Sequence, residues 1–378
     1  MNTRFKLPGT RRQVLLLFVL LILLALGACQ NGCSQAHVFA THSPAHPQNN
    51  QTVTFEASTD GSTDKIELAY ERYSLTVSNG NITQTLAEAK TVVKTCDPSG
   101  NVNNLTCSHT MPSAFAASSL IRFTATSYDA EGDTNSETYD FAAGDYPLAD
   151  DPIPIRVKGD PVDHLDVVFI PDTDITLNSF RDQLDEVIED LYFKYDEFKT
   201  FRGNLNFYYS SQQGNYEESC QFTDPPNMAN LTAVGDSVAI LHQTNLRDCN
   251  SGDRFSSEIN YDKTLIHESG HALFGLQDEY CCDSSYAQQS CQPNIYSSLA
   301  NCQADAPNLE LPTGDCAQIV DGNDSINFWR IDPLGAGGCM MGPRQHNADS
   351  DFAKACVRRI VWRYSKCGGG ECFPSPEC

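Results

Sequence analysis

Residues 265–280 read LIHESGHALFGLQDEY and contain the pattern His-Glu-x-x-His. In a helix, the side chains of His267 and His271 differ by only about 40° around the axis and by about one turn in height, so both imidazoles reach a single metal ion. Glu268 projects about 100° away from His267, where it reaches a water molecule bound to the metal. The pattern predicts a buried helix that presents two metal ligands and a carboxylate base. A helix with two hydrogen-bonded histidines and no metal is the alternative.

This set of side chains suits the hydrolysis of a peptide bond. Zinc lowers the pKa of a bound water to about 7, and an adjacent carboxylate takes the proton and passes it to the leaving amine. Gly275 predicts the end of the helix, because glycine adopts the left-handed conformation that a sharp exit requires. Asp278 and Glu279 follow that turn and offer carboxylate oxygens. The residues alone leave both open as the third ligand.

A second informative segment lies far downstream, where residues 338–343 read GCMMGP. It contains two of the five methionines of the chain, beside a glycine and a proline that predict a tight turn. A pair of methionines that fill gaps in a core is the alternative.

Together the two segments resemble the metzincin zinc peptidases, in which a methionine-containing turn, commonly Cys-x-Met, lies under the metal. Cys339 and Met341 match that turn. Within this clan the chain is similar to the IgA-peptidase-type family of bacterial metallopeptidases, whose pattern H-E-x-G-H-x-x-x-G-L-x-D-E-Y is matched by residues 267–280. The resemblance extends over most of residues 160–365, and it implies a metzincin-like catalytic domain.

The resemblance also implies roles for individual residues around one catalytic zinc ion. These are zinc ligands at His267, His271 and Asp278 and a general base at Glu268. In the commoner metzincin pattern, the glycine stands seven and the third histidine ten residues after the first histidine, whereas Gly275 and Asp278 stand at eight and eleven. The spacing between glycine and ligand is kept, which favours Asp278 without excluding Glu279.

Composition and the N-terminus predict where the chain acts. Its sixteen cysteines are typical of an oxidising compartment, and its net charge of −24 excludes nucleic-acid binding through bulk charge. Residues 1–28 resemble a lipoprotein signal peptide whose apolar run, Val14 to Leu26, is short for a membrane span. The sequence Leu-Gly-Ala-Cys that ends at Cys29 is similar to a bacterial lipobox. We therefore expect a lipid-anchored protein of the bacterial cell surface or outer membrane, with a secreted or periplasmic protein as the alternative.

Three further regions follow the signal peptide. Residues 29–51 are rich in polar residues and proline, which predicts a polar tether with solvated histidines. Alternating apolar residues over 52–146 predict an immunoglobulin-like β-sandwich, in which Cys96 and Cys107 are spaced for a local disulfide. A proline-rich boundary precedes residues 160–378. The predicted fold is thus an all-β immunoglobulin-like sandwich followed by an α+β metzincin-like zinc peptidase domain with a disulfide-rich C-terminal part.

Within the second domain, apolar runs predict buried strands at 165–170, 205–209 and 238–241. Apolar residues at helical spacing predict a helix over 177–191. After residue 281 the apolar residues show no regular spacing, so we expect disulfides to order that region.

These observations predict a lipid-anchored zinc endopeptidase that acts on a protein or peptide substrate. The alternative is a surface binding protein or adhesin whose zinc site is structural or inactive. Glu268 argues against it, because a structural site does not require a non-ligating carboxylate beside an open coordination position. Tyr280 and His346 are candidates for hydrogen bonds to the transition state. His164 and His242 stand alone, as His346 does, and are interpreted as ordinary core or surface histidines.

Overall fold

The β-sheets of this protein fall into two parts of the chain, with antiparallel sheets in the first half and a mixed sheet with helices in the second. The predicted signal peptide and Cys29 lie outside the residues that the structure describes, as do Tyr280, Cys339 and His346. Among the described residues, no helix is both long and apolar enough to cross a lipid bilayer. The computed structural model describes residues 36–48, 50–78, 81–115, 119–144, 151–159, 161–217, 220–279, 291–321, 324–331, 340–342 and 352–366.

The first half contains two antiparallel sheets that share one core. Its strands are β1 (Val38–Ser43), β2 (Thr54–Thr59), β3 (Ser62–Thr63), β4 (Lys65–Ser78), β5 (Asn81–Cys96), β6 (Val102–Asn103), β7 (Thr106–Thr110), β8 (Ser119–Tyr128) and β9 (Thr134–Ala143). The two sheets that share the core have the orders β1-β2-β7 and β5-β4-β8-β9, and β3 pairs with β6 in a separate two-stranded sheet. The rings of Phe55 and Phe123, from different sheets, stack with centroids 4.4 Å apart, because alternate residues of each strand point into the space between the sheets. The predicted disulfide between Cys96 and Cys107 is present and joins the two sheets.

The first strand shows that the prediction of a polar tether over residues 29–51 is wrong for its second half. β1 pairs antiparallel with β2 along its whole length. His42 and His46 are buried, and their rings bond polar groups of the protein rather than solvent. The prediction failed because the inward positions of this short strand are Val38, Ala40 and a histidine, and composition alone assigns a histidine among polar residues to the surface.

The second half is built around a six-stranded mixed sheet. Its strands, with the separate hairpin of β13 and β14, are β10 (Ile153–Arg156), β11 (Leu165–Pro171), β12 (Leu205–Tyr209), β13 (Asn215–Glu217), β14 (Gln221–Thr223), β15 (Ser237–His242), β16 (Asn250–Ser251) and β17 (Arg254–Glu258). The sheet order is β10-β12-β11-β15-β17-β16, with four parallel central strands and an antiparallel strand at each edge. The three predicted strands of this region are confirmed.

Helices cover this sheet and lead to a small C-terminal sheet. They are α1 (Leu177–Asp185), α2 (Asp196–Thr200), α3 (Met228–Thr232), α4 (Asp262–Phe274), α5 (Leu299–Asp305) and α6 (Lys354–Lys366). The predicted helix at 177–191 begins as α1 and continues as a π-helical segment, Glu186–Tyr192. The small sheet has the order β18-β20-β19, from β18 (Ile295–Tyr296), β19 (Cys316–Asp321) and β20 (Asp324–Ile331). The sequence did not predict this sheet. Its strand β18 has only two residues, and the register of β19 with β20 shifts once, so no regular alternation marks the strands.

The two halves are joined by shared packing and by backbone pairing. Ala45 and Ala142 of the first half belong to the main hydrophobic core of the second. Asp140 and Val157 exchange two backbone hydrogen bonds of 2.8 and 2.9 Å. The antiparallel sheets are therefore fixed against the mixed sheet.

Candidate metal centre

Helix α4 carries the central pair of histidines and ends where the sequence predicts. Gly275 adopts the left-handed conformation, with φ of 59°, and the next amide, at Leu276, bonds the carbonyl of Gly270 at 3.1 Å. The amide of Gly275 itself donates to the carbonyl of His271 at 2.9 Å, which is the bond of an αL C-cap. The guanidinium Nε of Arg359, from α6, donates to the carbonyl of Phe274 at 2.6 Å. The glycine turn and the arginine together satisfy the last carbonyls of the helix.

His267, His271 and Asp278 come together just beyond this turn. Their ligand atoms all lie within 4.8 Å of one another. The two Nε2 atoms are 3.2 Å apart, and Oδ1 of Asp278 lies 3.2 Å from the Nε2 of His267 and 3.4 Å from that of His271. Ligands at zinc distances of about 2.0–2.1 Å stand about 3.3 Å apart in a tetrahedral site. The spacing of the three atoms therefore fits one tetrahedral ion.

Hydrogen bonds at the other ring nitrogens fix the orientation of both imidazoles. Nδ1 of His267 donates to the carbonyl of Met340 at 2.9 Å, and Nδ1 of His271 donates to the carbonyl of Leu276 at 2.7 Å. Because a carbonyl only accepts, the Nδ1 atoms hold the protons and the Nε2 lone pairs face each other. Such backbone partners set the tautomer of metal-binding histidines.

The electrostatics of the group follow from the close approach of Asp278 to the two imidazoles. Although burial opposes the shift, the hydrogen bond and charge of Asp278 raise the pKa of His271 to about 9. Burial likewise opposes the hydrogen bonds from His267 and His271, which hold the pKa of Asp278 well below its usual range. Both shifts show that a positive charge between these atoms is favoured.

Glu268 lies beside the group and is buried, with 6% of its surface exposed. Burial raises the pKa of Glu268 despite the charges of His267 and His271, which lower it. A carboxylate with a raised pKa is suited to take a proton near neutral pH. Glu268 and the three grouped residues line one cleft of about 1080 Å³.

Met340 and Met341, from the predicted methionine turn, pack against helix α4. Met340 and Met341 are completely buried, and a Cβ placed on Gly270 would lie 3.0 Å from the sulfur of Met341. A glycine at this position of the helix therefore lets the methionine approach. Gly342 is the last residue described in this segment, so the predicted turn is seen only in part.

The two candidates for third ligand have different surroundings. Asp278 belongs to the group, whereas the side chain of Glu279 is 2% exposed and points into the protein. Its Oε1 accepts from Nδ2 of Asn294 at 3.3 Å and from the thiol of Cys356 at 3.2 Å. The geometry thus favours Asp278 as the ligand.

The wall of the cleft contains two acidic residues, Asp248 and Glu258, that were not predicted from the sequence. Asp248 accepts from Nε2 of His242 at 2.7 Å, so of the two predicted environments, core or surface, His242 occupies the core. Burial and a hydrogen bond to Asp248 raise the pKa of Glu258 to about 7. His242 and Glu258 are paired at the ends of β15 and β17. Their position at the carboxyl ends of adjacent parallel strands, where ligands bind in α/β sheets, is the signal that could have identified this wall.

Comparisons with known proteins add little to this geometry. No family model matches the chain, and no curated protein matches it significantly. Among solved structures, the sporulation control protein Spo0M from Bacillus subtilis is 8% identical over 30% of this chain and 51% of that chain, with a TM-score of 0.20. The β-glucuronidase of Bacteroides uniformis is 11% identical over 55% of this chain and 23% of that chain, with a TM-score of 0.19. Similarities this weak carry no argument about fold or function.

Proposed function

We propose that this chain is a zinc-dependent endopeptidase of the metzincin type. The observation that carries the proposal is the grouping of His267, His271 and Asp278 at the spacing of tetrahedral ligands, with Glu268 in the same cleft. The donor set of two imidazoles and one carboxylate suits zinc and leaves a fourth position for water.

The chain's own residues have separate roles in this mechanism. His267, His271 and Asp278 hold zinc, which when bound supplies a Lewis acid and lowers the pKa of water. Glu268 accepts the proton of the attacking water and returns it to the leaving amine, and its raised pKa matches that task. Its burial keeps the carboxylate from bulk water, so the proton stays within the site.

The remaining features of the proposal concern fold and location. We assign the antiparallel sheets to an immunoglobulin-like sandwich and the second half to a metzincin-like domain. The disulfides Cys96–Cys107, Cys220–Cys249 and Cys302–Cys316 support an oxidising compartment. A lipid anchor on Cys29 would hold the enzyme at the cell surface or outer membrane, facing protein or peptide substrates.

The test combines metal analysis with a protease assay on mixed peptides. We expect one zinc ion per purified chain and hydrolysis that a chelator stops. Glu268→Gln should keep the zinc and lose about 10²- to 10⁴-fold in kcat/KM.

Two outcomes would contradict this proposal. Zinc-loaded protein without hydrolysis of any peptide would favour the surface binding protein or adhesin. Full activity of Glu268→Gln would remove the carboxylate from the mechanism.

A further inference from the structure

The third ligand has no regular secondary structure to hold it. His267 and His271 are placed by one turn of α4, whereas Asp278 follows the helix by four residues, beyond the left-handed Gly275. A carboxylate on such a segment contributes fully to metal affinity only if its backbone is already in place, because ordering it on binding costs conformational entropy.

The side chain of Asn294 forms two hydrogen bonds with the backbone of Gln277, the residue before this ligand. The amide nitrogen of Gln277 donates to Oδ1 of Asn294 at 3.0 Å, and Nδ2 of Asn294 donates to the carbonyl of Gln277 at 2.7 Å. One side-chain amide thus pairs with both backbone groups of a single residue, as a neighbouring strand would. Asn294 is completely buried, so water does not compete for these bonds.

The residue immediately after the ligand is held by the same side chain, by a backbone carbonyl and by a second side chain. Nδ2 of Asn294 also donates to Oε1 of Glu279 at 3.3 Å. The amide of Glu279 donates to the carbonyl of Met341 at 2.6 Å, and its carbonyl accepts from the guanidinium of Arg330. Asp278 therefore stands between two residues whose backbones are both fixed.

The small C-terminal sheet supplies these fixing groups. Asn294 directly precedes β18, and Arg330 lies on β20, where it pairs with Ile295 of β18. Asn294 and Arg330 therefore reach the ligand segment from the start of one strand and from its neighbour in the same sheet. This arrangement gives the sheet a role at the metal centre.

We propose that Asn294 is a positioning residue that sets the backbone of residues 277–279 so that Asp278 meets the metal with the two histidines. The inference rests on the metal site of the proposed function. It goes further, because it attributes the fixed position of Asp278 to a residue next to the small C-terminal sheet. It requires no titration and no contact between Asn294 and the metal.

The test measures metal binding by the full chain without any substrate. Asn294→Ala should weaken zinc binding 10- to 100-fold in competition with a chelating dye, which is the range seen when partners of metal ligands are removed. With cobalt in place of zinc, the intense visible absorption of a tetrahedral site should fall. Asn294→Asp keeps the acceptor for the Gln277 amide but places a buried carboxylate oxygen against the carbonyl of Gln277 and Oε1 of Glu279, so we expect it to weaken zinc binding at least as much.

Asn301→Ala is the matched control, since Asn301 is an exposed asparagine on α5 that bonds Ser297. It should bind zinc and cobalt as the unaltered chain does. A folded Asn294→Ala protein with zinc affinity within twofold of this control and an unchanged cobalt spectrum overturns the inference. If Asn294→Ala does not fold, the same criterion is applied to Asn294→Asp.

The outcome is separable from that of the proposed function. Weakened zinc binding by Asn294→Ala in a chain that hydrolyses no peptide supports the positioning role and contradicts the peptidase. Unchanged zinc binding in an active Asn294→Ala enzyme contradicts the positioning role and leaves the peptidase intact.

Discussion

Two places in this molecule gather buried charged side chains, and they differ in what completes them. At the junction of the two halves, Glu137 of β9 accepts from Arg156 of β10, from Nε of Arg202 at 3.2 Å and from Nζ of Lys158 at 3.4 Å. Although burial opposes the shift, these cations lower the pKa of Glu137. In the junction cluster, defined as these four residues, the chain itself supplies the cations that surround the buried carboxylate.

The metal centre gathers acceptors instead. Two imidazole nitrogens and a carboxylate oxygen face one point, and the backbone carbonyls that bind the Nδ1 atoms keep the Nε2 lone pairs directed there. The comparison thus distinguishes a cluster in which the chain's own cations surround a carboxylate from a group of acceptors whose spacing could hold a metal ion.

The largest effect that we expect is at the metal centre itself. Asp278→Ala should lose zinc and hydrolysis together, because it removes one of three ligands. Glu279→Ala should retain zinc and lose about 10- to 100-fold in affinity, since Glu279 only supports the ligand segment. Zinc content by elemental analysis and kcat/KM for a peptide substrate measure both. If Glu279→Ala lost the metal while Asp278→Ala kept it, the two roles would be exchanged.

A smaller effect, on stability alone, is expected at the junction cluster. Glu137→Ala leaves Arg156 buried without the carboxylate that it bonds and leaves Arg202 with Glu189 alone, at 3.5 Å, which should lower the free energy of unfolding by about 3–5 kcal/mol. Glu67→Ala, at the more exposed pair with Lys65 in the same sandwich, should cost about 0–1 kcal/mol. Denaturant unfolding measures both changes. Loss of zinc from folded Glu137→Ala protein would show that the two clusters are not independent.

The contrast between the clusters also explains what the sequence could predict. The spacing of His267, His271 and Gly275 is local, so helix geometry and glycine stereochemistry predicted the helix and its end. The choice of Asp278 over Glu279 needed the resemblance, and the structure supports it through contacts with Asn294 and Cys356. Those partners come from elsewhere in the chain, and a single sequence has no signal for such long-range bonds.

The same reasoning applies to the errors in the first half. Histidines 42 and 46 were expected in solvent because burial of a polar ring depends on partners that only the fold supplies. His42 bonds the hydroxyl of Tyr139 and the carbonyl of Ala45, and neither contact is visible in the local pattern. The junction cluster was missed for the same reason, since Glu137 and Arg202 are 65 residues apart.

The smallest effect that we predict is a pH dependence at the junction, from His42. Burial, with repulsion from Arg156 and His46, lowers the pKa of His42 to about 3 even though the bond to Ala45 opposes the shift. The unfolded chain binds a proton at this residue below about pH 6.5 and the folded chain does not, so stability falls as the pH falls from 6.5 towards 3.

At 1.36 kcal/mol per pH unit, the loss attributable to His42 is about 2 kcal/mol between pH 6.5 and 5. Asp185 and Glu258 act in the opposite direction in this range, because burial raises the pKa of each to about 7. The measurement is therefore a difference, the unfolding free energy of the unaltered chain minus that of His42→Gln at both pH values. This difference should shrink on acidification, because the variant has no imidazole to protonate. A difference that is the same at pH 6.5 and 5 would mean that the pKa of His42 is not lowered in the folded chain.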